Sequence, residues 1–133
     1  MPYILTPAQD TMAIAEREFG TSSPQVQFTL FTSCIGVLSL RNGAVTGVHL
    51  SITAEDGTLF DDAAANQVAQ IIGQWDQIKV IGRIDYWENP ANGVTAAFNN
   101  MLQLLGVPPD NLYQLADGIY GGEDDGGTLE ITY

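Results

Sequence analysis

The sequence predicts an α+β domain: a strand-rich mixed sheet core flanked by about three helices. Three observations carry that expectation. Short β-forming runs dominate the first half, an Asn-Gly pair separates two of them, and apolar residues recur at helical spacing in three other stretches. The 133 residues suit a single domain, 1–133, and a 45% hydrophobic composition supplies its core.

Residues 6–20, "TPAQDTMAIAEREFG", read as an amphipathic helix. Thr6 is the N-cap candidate, Pro7 fits the first turn, and Gln9 completes a capping box. Met12, Ala15 and Phe19 share one face, and Gly20 is a stop. Residues 26–32, "VQFTLFT", alternate as a strand. "IGVLSL" and "AVTGVHLSI" flank Asn42-Gly43, a pair that tolerates positive φ, so a hairpin is expected there. Asp61 or Asp62 caps a second helix carrying Ala64, Val68, Ile71, Ile72 and Trp75. "IKVIGRI" reads as a central strand. Asn89 and Pro90 open a third helix, whose apolar face includes Val94, Phe98, Met101 and Leu105, and Gly106 ends it. "NLYQLA" and "TLEITY" read as closing strands, joined by a solvated glycine-rich acidic loop, "DGIYGGEDDGG". Its Gly121-Gly122 pair alternatively marks a close backbone approach.

Sixteen acidic residues oppose four basic ones, a formal charge of −12. That field disfavours nucleic acid and anionic lipid as partners and keeps the chain soluble. No apolar run nears the ~20 residues of a membrane span. The first residues lack the basic-then-apolar pattern of a signal peptide, so none is expected. A single cysteine excludes an internal disulfide and leaves a free thiol suited to a reducing compartment.

Cys34 and His49 each occur once, fifteen positions apart, on either side of the expected turn. Cys34 follows Thr32-Ser33 at a strand end, with Gly36 nearby. Such a setting suits a nucleophile with backbone N–H groups from Ser33 and Cys34 at an oxyanion. Equally, a lone cysteine serves as a small core hydrophobe, and a strand histidine need have no role. The hairpin brings the two together, which strengthens the functional reading of both. No metal site is expected, because one Cys and one His lack the short ligand spacing of zinc sites. "GGEDDGG" lacks the spacing of a calcium loop.

The segment "TLFTSCIGV…GVHLSI" resembles the chemoreceptor glutamine deamidase family called CheD, and the catalytic domains of cytotoxic necrotizing factor and Burkholderia lethal factor. Ser33-Cys34 and Val48-His49 stand where that family has its cysteine motif and later histidine. "IKVIGRIDYW" and "GVTAAFNNMLQLLGVPPDNLYQLADGIYGG" follow the family's later elements in order. The resemblance implies a β-sandwich-like core, a Cys34 nucleophile, a His49 acid–base, no cofactor, and a partner protein bearing a target glutamine. It implies a bacterial protein, in its own cytoplasm or delivered into a host cytosol as a toxin or effector. The family's histidine-orienting threonine falls on Phe28 here. Thr29, one residue nearer, is the candidate for that role, with a backbone carbonyl of its strand as the alternative. A noncatalytic acidic binding module and a different thiol hydrolase are the competing functions.

Overall fold

The computed structural model describes residues 2–133. It has nine strands in two sheets and three α-helices. In chain order the strands are β1 (Thr6–Pro7), β2 (Glu18–Ser22), β3 (Gln25–Gln27), β4 (Ile35–Arg41), β5 (Ala44–Leu50), β6 (Gln77–Gly82), β7 (Leu112–Gln114), β8 (Gly121–Asp125) and β9 (Thr128–Thr132). The helices are α1 (Asp62–Ile72), α2 (Ile84–Glu88) and α3 (Thr95–Leu105). Six strands form a mixed sheet in the order β1-β2-β5-β4-β6-β7, and β3-β8-β9 form an antiparallel one. The α+β expectation holds. Among the described residues no helix is long and apolar enough to cross a membrane.

The β4–β5 hairpin organises the large sheet. Arg41 pairs with Ala44 around Asn42 (φ 51°) and Gly43 (φ 81°), the two positive dihedrals of a tight two-residue turn. Side chains then alternate between two apolar layers. Ile35, Val37, Val48 and Leu50 face α1 and α3, packing with Val68, Phe98 and Met101. Leu38, Leu40 and Val45 face the small sheet, packing with Val26 and Leu129. Gly36 and Gly47 lie on this second face. A Cβ on Gly36 would stand 2.7 Å from the Phe28 ring, so the missing side chain makes the seat for that aromatic.

Three expectations need correction. Residues 6–20 are not helical. Thr6 N–H donates to the Arg17 carbonyl as part of parallel β1–β2 pairing, and the Asp10 carboxylate closes a turn onto Met12 N–H. Ile14 is fully buried against the second face, bridged to Phe28, and Arg17 sits at φ 63°. Backbone pairing with distant strands outweighs a weak local periodicity. The strand expected over 26–32 stops at Gln27. Beyond it Phe28 and Phe31 both turn inward, which strict alternation forbids. The acidic loop contains β8. Its Gly121 and Gly122 are buried, and a Cβ on Gly121 would collide with the Val26 carbonyl, so the close-approach reading describes that pair. β8 and β9 set Glu123 directly opposite Glu130. Two later helices form near their expected places with shorter bounds: α1 ends at Ile72 with Gly73 as its C-cap, leaving Trp75 beyond it, and α3 begins only at Thr95. Asp61 caps α1 by accepting from Ala64 N–H, and Gly106 ends α3 in a left-handed conformation. The Asn89-Pro90 start opens a single 3-10 turn before α3, and α2 is an added short helix.

Candidate functional site

Cys34 and His49 reach one face of the large sheet by simple counting. β4 and β5 pair Gly36 with His49. Cys34 lies two residues before Gly36, so it shares that face and stands diagonally across from the imidazole. Both side chains are fully buried. The Cys34 Sγ, a His49 ring nitrogen and a Glu16 carboxylate oxygen all lie within 4.8 Å of one another.

Glu16 is the residue that sequence reasoning missed. It lay inside the stretch expected to be helical, and nothing in its local sequence marks it. In the structure its Oε2 lies 3.4 Å from Cys34 Sγ and accepts the thiol hydrogen, with the Thr32 carbonyl an alternative acceptor at 3.4 Å. Arg17 anchors this segment. Its backbone N–H donates to the His49 carbonyl (2.7 Å), and its guanidinium donates to Ser51 Oγ (2.7 Å) and lies 3.5 Å from Glu16 Oε1.

The imidazole is held in one tautomer. Nδ1 lies 2.8 Å from the Ile14 carbonyl, which only accepts, so Nδ1 carries the hydrogen. In a neutral ring Nε2 then bears the lone pair. It is buried and has no hydrogen-bond partner among the described residues. Phe28 and Phe31 flank the ring, with centroids 5.5 and 4.8 Å away. The orienting carbonyl thus comes from Ile14 and not from the strand of Thr29. Thr29 joins the arrangement through its backbone, donating its own N–H to the same carbonyl at 2.9 Å.

Burial sets the protonation states. It pushes the Cys34 thiol up to about 12; the Thr32 contact partly offsets this, and the Glu16 charge adds to it. Burial also lowers His49 below its ordinary value, against a smaller raising effect of the Ile14 contact. The resting pair is a neutral thiol and a neutral imidazole.

The backbone around the thiol is tightly held. Ser33 sits at φ 62°, a left-handed conformation costing a non-glycine residue on the order of 1 kcal/mol. Its N–H donates to Asp117 Oδ1 (3.0 Å), and its carbonyl accepts from the Trp87 indole (3.0 Å). Of the two expected oxyanion donors, the Ser33 N–H is therefore engaged. The Cys34 N–H has no partner among the described residues. A groove of about 330 Å³ opens here, lined in part by Glu16, Thr32, Ser33, Ser51, Tyr86 and Asn92. Cys34 does not line it. A larger groove beside Pro90, Gly93 and Thr95 has no titratable lining group.

No family model matches the sequence, and a search of the curated proteins finds no similar one.

Proposed function

We propose that the chain is a cysteine-dependent amidohydrolase that converts a glutamine side chain of a partner protein to glutamate. One observation carries the reading. The only thiol and the only imidazole share a sheet face, and the imidazole is fixed with its basic nitrogen unpartnered. The strained Ser33 beside the nucleophile adds support, since such conformations concentrate at functional sites. So does the sequence resemblance to the CheD and cytotoxic necrotizing factor deamidases.

The chemistry begins when a substrate carboxamide takes the place of the Glu16 carboxylate beside Cys34. The thiol proton passes to His49 Nε2, and the sulfur attacks the amide carbon. The Cys34 N–H stabilises the developing oxyanion. His49 returns the proton to nitrogen, the C–N bond breaks, and ammonia leaves a thioester. Water then attacks the thioester, giving its proton to His49. The C–S bond breaks, the thiol is regenerated, and the product is glutamate. The strongly acidic surface suits a substrate with a basic face. The setting is a bacterial cytoplasm or a host cytosol reached by delivery.

The test compares proteins from cells expressing the parent chain with those from a Cys34→Ala twin, by mass spectrometry. New glutamine-to-glutamate conversions, about one mass unit each, are expected only with the parent. On a responsive target, Cys34→Ser and His49→Ala each lower ammonia release by about a thousandfold or more. Full activity in either variant overturns the roles of nucleophile and acid–base. Full burial of Cys34 favours a second reading, a noncatalytic acidic binding module. In that case no conversions appear, and the folded chain binds its partner equally well as the Cys34→Ala variant. Backbone cleavage in place of side-chain conversion would instead identify a peptidase-type thiol hydrolase.

A further inference from the structure

We infer that Glu16, Cys34 and His49 together form a zinc-class metal site, and that an ion bound there switches off the thiol. The three donors are one sulfur, one nitrogen and one carboxylate oxygen, within 4.8 Å of one another. Tetrahedral zinc with bonds of about 2.3 Å to sulfur and 2.0–2.2 Å to oxygen sets those two ligands ~3.5 Å apart. The Cys34 Sγ and Glu16 Oε2 already stand at 3.4 Å.

A second observation points to a ligand independently of the cluster. His49 is fully buried, and its Nε2 has no partner among the described residues. A buried nitrogen of this kind ordinarily costs stability. Its other nitrogen donates to the Ile14 carbonyl, the outer contact by which metal-binding histidines are commonly oriented. Glu16 also borders the groove, which gives the ion a route in and leaves its fourth position to water. The sulfur donor selects zinc, cadmium or cobalt over magnesium or calcium. Binding displaces the thiol hydrogen as one proton, and the thiolate and carboxylate charges then balance the dication. The ion takes the sulfur and the Nε2 lone pair, both needed for attack on an amide. In that consequence alone the inference rests on the proposed function.

The reduced, purified chain is titrated with Zn²⁺ by calorimetry and with Co²⁺ by absorbance. One ion per chain is expected, with a near-ultraviolet thiolate-to-cobalt band that Cys34→Ser abolishes. His49→Ala and Glu16→Gln each weaken Zn²⁺ binding by about tenfold or more. Mg²⁺ does not compete. The stoichiometry and the band of the unaltered chain require no variant to fold. Absence of saturable 1:1 binding or absence of the thiolate band overturns the site. These readouts need no substrate. A chain that binds Zn²⁺ and never releases ammonia keeps the site and loses the amidohydrolase. Ammonia release that persists at saturating Zn²⁺ overturns the switch.

Discussion

The two faces of the β4–β5–β6 sheet are built from the same strands and serve opposite ends. The face under α1 and α3 is a largely apolar layer of Ile35, Val37, Val48, Leu50, Ile78 and Val80, with Ser39 its one buried hydroxyl on β4. At its rim the Tyr3 hydroxyl donates to the Ser51 carbonyl (2.8 Å) and accepts from the Ser51 N–H (3.0 Å). The opposite face gives two positions to glycine, one to a histidine with an unpartnered nitrogen, and borders a strained Ser33. The comparison teaches that stability is concentrated on one face, which lets the other hold groups that packing alone would not select.

Three experiments break or sharpen that comparison. The largest effect is expected at the helix-covered face: Phe98, fully buried in α3, should cost about 3–5 kcal/mol when replaced by alanine, read by urea unfolding. A cost near 1 kcal/mol would remove the asymmetry. Next is the rim. Burial raises Tyr3 from 10.0 to about 12, its Ser51 contacts offsetting part of that rise. The unfolded chain ionises first, so this contribution is intact below about pH 10 and is lost as pH rises toward 12. It amounts to about 2–3 kcal/mol. The stability gap between the parent and Tyr3→Phe should therefore narrow across that window. A constant gap would show that the hydroxyl is not shielded. Smallest is His49→Leu, which should change stability by less than about 1 kcal/mol while eliminating the proposed activity. It loses the bond to the Ile14 carbonyl, which still accepts from Thr29, and it removes an unpartnered buried nitrogen. A loss as large as that of Phe98→Ala would mean that His49 is a structural core residue.

The hairpin was legible because its information is local. Asn42-Gly43 fixes the turn, the turn fixes the register, and the register puts Cys34 and His49 on one face. Helix α1 was legible through its Asp61 cap, α3 through its Gly106 stop, and both through their wide apolar stripes, whereas the Asn89-Pro90 signal marked only a 3-10 turn ahead of α3. Residues 6–20 were not legible. Their apolar spacing fits a helix, yet Ile14 is claimed by Gln27 and Thr29 through backbone bonds that no local pattern announces. The cost of that misreading fell on the site, because Glu16 and the Ile14 carbonyl both come from this segment. Every residue offers a carbonyl, so no residue type could have marked that one. Parity along β4 and β5 is the signal that does mark the Cys34–His49 pair, and it needs only the turn.

The facing pair Glu123 and Glu130 also shapes how molecules meet one another. β9 is an open sheet edge, and like charges set opposite each other weaken their own hairpin slightly. The same repulsion keeps a neighbouring chain from laying a strand alongside. Acidification toward the isoelectric point near 4.1 brings the net charge of the whole chain toward zero, so concentrated solutions should be clearest at neutral pH and turn turbid first in mild acid.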